Sequence, residues 1–254
     1  MNFHVMTLFP EMMETVLSTS ILGRAEKRGC LGFTVTNIRD FAGNRHGKVD
    51  DYPYGGGAGI LIQPAPVVDC FRAVAEKVGH PCRCIYTSPQ GKTFTQEDAW
   101  ELSREEDLIF LCGHYEGIDE RALDICVTDT YSVGDYVLTG GELPVLTMID
   151  AIARLVPEVL HNEDSNLFDS FTDHLLEYPQ YTRPEVYEGR AVPEVLLSGH
   201  HAKIEEWRRK QSLERTFAKR PDLLKEAAKA GELTRRDLLY LSEIGWWPDE
   251  EETS

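Results

Sequence analysis

Short runs of β-branched and aromatic residues punctuate the first half of the chain, at Phe3 to Phe9, Phe33 to Arg39, Arg83 to Thr87, Leu108 to Cys112 and Ile125 to Thr130. Runs of that length and composition read as strands. Between them lie stretches with apolar residues at helical spacing: Glu11 to Arg28, Pro64 to Val78, Thr95 to Arg104 and Pro144 to Val156. Strands alternating with helices predict an α/β fold built on a mostly parallel sheet. The last helix has the clearest pattern. Val145, Met148, Ile149, Ile152, Leu155 and Val156 recur at three and four residues, Thr147, Asp150 and Arg154 fall on the opposite face, and Pro157 ends the run.

Beyond residue 160 the pattern changes. HNEDSNLFDSFTDH (161 to 174) has no sustained apolar period and is rich in turn formers, which predicts an interdomain linker. From about His200 to Ser242 the composition is helix-forming, with Pro221 and Gly231 as punctuation, and suggests a small bundle of short helices ahead of a frayed acidic tail, DEEETS. The expected organisation is therefore an α/β domain over 1–160, a linker over 161–174 and a helical domain over 175–254.

With 254 residues, 42% of them hydrophobic, the chain can bury a core in one large domain or two smaller ones. The N-terminus lacks a basic region followed by an apolar core and no apolar run approaches membrane-spanning length, so the expectation is a soluble cytoplasmic protein with no membrane partner. The six cysteines fit that compartment as reduced thiols. Cys82 and Cys84 are spaced for one strand face rather than for zinc, and no structural metal is expected. A net charge of -17 argues against a polyanionic partner until its distribution is considered: His200 to Asp237 holds 11 basic and 7 acidic residues, a local +4 in a chain that is acidic elsewhere. That region is the candidate polyanion-facing part, unless it is an ordinary charged helical surface.

Three apolar runs end in glycine-bearing turns: YTSPQG (86 to 91), LCGHYEGIDER (111 to 121) and VGDYVLTGGELP (133 to 144). In open α/β sheets ligands sit beyond the carboxyl ends of strands, so these turns can converge on one pocket. Its occupant is not a dinucleotide, because no Gly-x-Gly-x-x-Gly opens a helix. Gly91-Lys92-Thr93 only partly matches a phosphate-cradling loop, since Tyr86 stands where that loop needs its first glycine. With Tyr86, Tyr115, Tyr136, Leu138 and Pro144 as apolar walls, the pocket suits an uncharged nucleoside with a small polar tail. A plain tight turn explains any one of these glycines; the concurrence of three turns favours a ligand.

The same residues, together with TLFPEM (7 to 12), IRDFAGNRHGKVDDYPYGGGAGI (38 to 60), DSF (169 to 171), YTRPEV (181 to 186) and VLLSGHH (195 to 201), resemble the bacterial tRNA (guanine-N1-)-methyltransferase family, of the knotted SPOUT class. The resemblance implies that the three turns are tied as a trefoil knot, an exception to the rule that chains do not thread their own loops. It implies S-adenosylmethionine as methyl donor, held by Tyr86, Ser88, Pro89, Gly91, Gly113, Tyr115 and Glu116, by Val133, Gly134, Asp135, Tyr136, Val137 and Leu138, and by Gly140, Gly141 and Pro144. The implied acceptor is N1 of the guanosine immediately 3′ of a tRNA anticodon. That nitrogen carries a proton and no free lone pair, so a base must act first. The resemblance assigns this role to Asp169, which from sequence alone is a solvated linker residue, and assigns stabilisation of charge on the guanine oxygen to Arg154, which otherwise pairs with Asp150.

On the RNA side, Asp50, Asp51, the glycine loop through Gly59, His46, Tyr181 and Arg183 are candidate nucleoside contacts, and Arg208, Arg209, Lys210, Arg215, Lys219 and Arg220 candidate phosphate contacts. The family further implies a homodimer with composite active sites, and magnesium as an assistant. Two other readings stand beside this one: a knotted methyltransferase acting on another RNA nucleoside, and an RNA- or nucleotide-binding module without catalysis.

Overall fold

The computed structural model describes residues 1–160 and 169–248, and the chain divides into two compact units, Met1–Glu163 and Asp164–Ser254. The acidic tail and residues 161–168 of the expected linker lie outside the described residues.

In the first unit the strands are β1 (Asn2–Thr7), β2 (Gly32–Asn37), the hairpin pair β3 (Asp50–Asp51) and β4 (Leu61–Ile62), then β5 (Arg83–Thr93), β6 (Asp107–Leu111) and β7 (Asp129–Ser132). The helices are α1 (Pro10–Leu17), α2 (Ser20–Lys27), α3 (Pro64–Val78), α4 (Gln96–Leu102), α5 (Glu120–Cys126) and α6 (Glu142–Ala153). The central sheet runs β2-β1-β6-β5-β7 and every neighbouring pair is parallel. Strand periodicity distributes its side chains to two faces. Phe3, Val5, Ile85, Leu108 and Phe110 pack with Met13, Leu17, Leu102, Val145, Ile149 and Ile152 from α1, α4 and α6. Met6, Cys84, Ile109 and Leu111 pack on the opposite face with Val67 and Val74 of α3 and Ala122 and Cys126 of α5. The fold is an α/β sandwich with a parallel sheet flanked by helices. β6, buried along its whole length, is its axis; each fully buried Leu, Ile or Phe contributes about 1.5–3 kcal/mol.

Several elements differ from the sequence expectation. The helix expected over Glu11 to Arg28 is two helices, broken where Ser20 takes φ +51°, and a side chain on Gly23 would sit 2.0 Å from the Ser18 carbonyl oxygen. The strand expected at Ile125 to Thr130 begins instead at Asp129, because Ile125 and Cys126 complete α5, whose Ala122 and Cys126 face the core. β5 continues beyond Thr87 to Thr93, with Ser88 to Gly91 bulging out of register so that both Thr87 and Lys92 pair with Tyr131. Helix α6 starts at Glu142, before Pro144, and stops at Ala153, short of Pro157. Cys84 is buried within β5, whereas Cys82 precedes that strand.

The second unit contains the hairpin β8 (Val186–Tyr187) and β9 (Arg190–Ala191), the short α7 (Glu194–Leu197), and helices α8 (His201–Lys219), α9 (Pro221–Lys229) and α10 (Arg235–Glu243). The hairpin turns on Glu188 and Gly189, both at positive φ, which matches the twist of the flanking strands. Pro221 opens α9 without losing a helical hydrogen bond, and Thr234 with Asp237 forms a reciprocal cap on α10. Leu213, Leu224, Ala227, Leu241 and Trp246 make the core, and Leu175 joins them. Residues 169–174 therefore do not read as a free linker: they fold back on themselves and onto this unit's helices.

Candidate active site

The bulge of β5, the turn after β6 and the segment after β7 meet at the carboxyl ends of the strands and enclose a cleft of about 390 Å³. Contact is by main chain. The Gly141 N–H donates to the Gly113 carbonyl at 2.7 Å, and His114 pairs with Gly140 as an isolated bridge. A methyl on Gly141 would lie 2.8 Å from the Gly113 nitrogen and 3.0 Å from the Cys112 Cα, so only glycine permits this approach. Within 133–138 the chain folds locally: the Ser132 hydroxyl donates to the Gly134 carbonyl at 3.0 Å and the Tyr136 hydroxyl to the Val133 carbonyl at 3.2 Å. Tyr136, Val137 and Leu138 stay exposed on the rim, Val137 to 87%.

Beneath the cleft a buried carboxylate joins its walls. Glu142, 3% exposed at the start of α6, accepts a hydrogen bond from the Thr7 hydroxyl at 2.8 Å, and His114 Nδ1 lies 3.8 Å from its other oxygen. That nitrogen is buried without a hydrogen-bond partner, while the His114 ring packs against Phe9 at 4.7 Å and Tyr115 at 4.9 Å. Tyr115 takes φ +61°, an uncommon backbone state for a residue with a side chain, and its hydroxyl accepts from Arg39 at 3.3 Å. Burial raises the pKa of Tyr86 and keeps it a neutral wall.

The expected donor-site residues line this cleft, except two. Asp135 points to solvent. Gly91 supports the bulge instead: a side chain there would meet the Thr130 carbonyl at 2.6 Å. Thr87, Gln90, His114, Ile118 and Ser132 line the cleft as well; all but Ser132 sit inside the glycine-bearing turns, where nothing beyond that position set them apart in the sequence.

The loop that begins at β3 reaches the same place. Glu116 N–H donates to the Ile60 carbonyl at 3.1 Å, Ile62 N–H to the Gly117 carbonyl at 3.0 Å, and a methyl on Gly59 would meet the Glu116 carboxylate. Gly59 is thus beside the cleft, with half-buried Asp50 at the loop's root and Tyr54 99% exposed near its tip. Arg154 lies elsewhere. It is the half-buried residue that closes α6, 13 positions past Gly141, which is roughly 20 Å along the helix at 1.5 Å per residue.

In the second unit the expected phosphate contacts are largely engaged with carboxylates. Arg208 pairs with Glu205 at 2.7 Å and lies over the Tyr178 ring at 4.9 Å; Lys210 pairs with Glu206 at 2.8 Å; Arg220 pairs with Asp222. Arg209 departs furthest from the expectation, since its guanidinium is turned inward onto Asp173 and Asp237. Arg215 is half-buried on α8, and Arg183, Lys219 and His46 are exposed. Tyr181 packs against Trp207 at 6.4 Å. Asp169 lines a second cavity of about 180 Å³ with Tyr178, Arg208 and Arg209.

Among the described residues, the one grouping of metal-capable side chains is His80, Glu106 and Asp107, at the opposite end of β6 from the cleft. There Asp107 already accepts His4 at 2.7 Å and His80 at 3.0 Å.

A parallel α/β sheet whose strand-end turns enclose a cleft is the arrangement in which open α/β proteins as a class take small ligands, beyond the carboxyl edge. The match of sequence narrows this class. The chain belongs to the tRNA (Guanine-1)-methyltransferase TrmD family, whose profile matches residues 1–226. It is 59% identical over 229 residues to the tRNA (guanine-N(1)-)-methyltransferase of Lachnospira eligens, covering 90% of this chain and 97% of that one. It is 51% identical over 243 residues to the protein of the same name from Bacillus subtilis, covering 96% and 98%, and 53% identical over 229 residues to that of Clostridioides difficile, covering 89% and 99%.

Proposed function

We propose that the protein transfers a methyl group from S-adenosylmethionine to N1 of the guanosine immediately 3′ of the anticodon in tRNA. The observation that carries this reading is the convergence of the three strand-end turns of a TrmD-family chain on one cleft. Its volume of about 390 Å³ falls within the roughly 300–1,000 Å³ usual for small-molecule sites. Main-chain groups of the Gly113, Leu138 and Gly140 neighbourhoods face adenine and ribose in this reading, and Tyr86, Pro89 and Pro144 supply apolar walls. Bound there, S-adenosylmethionine supplies a methyl group on a positively charged sulfur, an electrophile that needs no further activation.

Activation falls on the guanine. Asp169 takes the N1 proton, which frees the lone pair that forms the new N–C bond, and Arg154 offsets the negative charge that collects on the guanine oxygen. The loop from Asp50 to Gly59 borders the guanosine, which its packing against Glu116 favours.

The active site is composite in this reading. A helix length separates Arg154 from its own cleft, which favours a second copy as the source of that guanidinium. Exposed Phe9, Met12 and Val16 around α1, with Leu143 on α6, offer an apolar face for such a copy. The trefoil knot is supported by the path of the chain: from β7, on the far side of β5, the segment to Gly141 returns to the turn after β6 before entering α6. Among the described residues no helix is long and apolar enough to cross a membrane, and tRNA is met in the cytoplasm. Replacing Asp169 with alanine tests the assignment: turnover collapses while S-adenosylmethionine and tRNA still bind, and undiminished turnover rejects Asp169 as the base.

A further inference from the structure

We propose that Arg209, through Asp173, is a positioning residue for Asp169 rather than a contact to tRNA phosphate. This rests on the reading of Asp169 as the base. The segment that carries Asp169 is a closed turn: Thr172 N–H donates to the Asp169 carbonyl at 3.3 Å, Phe171 N–H to the Leu175 carbonyl at 2.8 Å, and Glu177 N–H to the Ser170 hydroxyl at 3.0 Å. Phe171 and His174 hold φ of +75° and +56°, states that side-chain-bearing residues keep only when their surroundings over-determine them.

Those surroundings are visible. Leu175 is 2% exposed in the helical core, and Leu176 N–H donates at 2.9 Å to the hydroxyl of fully buried Thr216. His174 Nδ1 is 2.7 Å from a Glu232 carboxylate oxygen. Arg209 makes the central tie. Its Nε and Nη2 donate to the two oxygens of Asp237 at 3.1 and 3.0 Å, and its Nη1 donates to Asp173. Asp237, 4% exposed, is itself fixed by its reciprocal hydrogen bonds with Thr234, the cap of α10. One guanidinium therefore fastens the Asp169 turn to α8 and α10 at once.

The same geometry removes Arg209 from phosphate recognition. Two carboxylates surround one cation, so the local sum is negative, and each of its nitrogens donates inward, including Nη2 to the Glu232 carbonyl at 3.5 Å. Arg209 and Asp169 line one cavity, which makes the guanidinium a wall of the space beside the base.

The two roles give opposite results for Asp173. The full-length protein, with Arg209→Lys, Asp173→Asn and the double variant, is assayed for kcat and for tRNA KM across a salt series. Positioning predicts that either single change lowers kcat by about 10- to 100-fold, as a displacement near 1 Å does, with tRNA KM within about threefold, an unchanged salt slope and a non-additive double variant. A phosphate contact predicts that Arg209→Lys raises tRNA KM and that Asp173→Asn leaves turnover intact or tightens tRNA, and that result overturns the proposal. So does additivity of the two changes. Asp169→Ala run alongside separates the two readings: an active Asp169→Ala discards the base, whereas an inactive one with fully active Asp173→Asn discards only the clamp. If Arg209→Lys does not fold, as its melting curve will report, Asp173→Asn and His174→Gln carry the test.

Discussion

Replacing Gly141 with alanine isolates the close approach on which the cleft depends. Gly141 has φ -81° and ψ -8°, a conformation any residue adopts, so the cost is steric alone. The new methyl would sit 2.8 Å from the Gly113 nitrogen, 2.9 Å from Thr87 Oγ1 and 3.0 Å from the Cys112 Cα. Two of those atoms are backbone and cannot rotate away. The segment must lift, and the 2.7 Å bond from Gly141 N–H to the Gly113 carbonyl is lost or stretched. Overpacking costs about 1–3 kcal/mol and the hydrogen bond about 0.5–1.5 kcal/mol, together about 1.5–4.5 kcal/mol. Where the loop must regain its shape on binding, that is roughly a 10-fold to 2,000-fold weaker complex with S-adenosylmethionine; where the strain is carried throughout, it appears as a lower melting temperature. Titration calorimetry with S-adenosylmethionine beside differential scanning calorimetry reads both. Gly43→Ala is the control, because nothing lies within 4 Å of its Cβ position. A Gly141→Ala protein with unchanged affinity and unchanged melting refutes the steric argument.

Three further outcomes follow from the same structure. Burial opposes the charge of Asp237, but Arg209 and Thr234 outweigh it and lower its pKa, so its contribution is present above the ordinary carboxylate range near 4 and is lost as pH falls through the depressed folded value; Asp237→Asn should flatten the acid limb of the second unit's unfolding curve followed by tryptophan fluorescence, and an unaltered limb contradicts the assignment. Burial pushes the Cys70 thiol up to about 12 and that of Cys126 to about 11 and raises Cys84 and Cys112 as well, and burial with Asp107 nearby also raises half-exposed Cys82, so at pH 8 a chromogenic disulfide should react first with half-exposed Cys30, more slowly with Cys82, and reach the other four only after denaturation. Glu142→Gln weakens the buried tie to Thr7 and should cost about 1–3 kcal/mol in denaturant titration; an unchanged midpoint would show that the carboxylate is dispensable.

The cleft was readable in the sequence because its signals are local. An apolar run followed within a few residues by glycine, three times over, marks the carboxyl edge of a parallel sheet, and the fold places those turns together. Equally local is Pro221, which marks where α9 begins. What escaped depends on distant partners. The apolar pattern of Met13, Leu17, Leu22 and Ala25 continues smoothly across the break at Ser20, since both helices bury the same face. Ile125, Cys126 and Val127 look like a strand, yet α5 claims Cys126 for the core beside α3. Glu142 is fixed by Thr7, 135 residues away. On α8, RRK looks like a phosphate-binding run, and only the positions of Asp173 and Asp237 reveal that its middle arginine is turned inward.

The most direct test of the account is to incubate the protein with methyl-labelled S-adenosylmethionine and unmodified tRNA, then locate the label by nuclease mapping. The account predicts a single labelled nucleoside, N1-methylguanosine immediately 3′ of the anticodon, and none when Asp169 is alanine. Label on another nucleoside, or on a ribose, would contradict it.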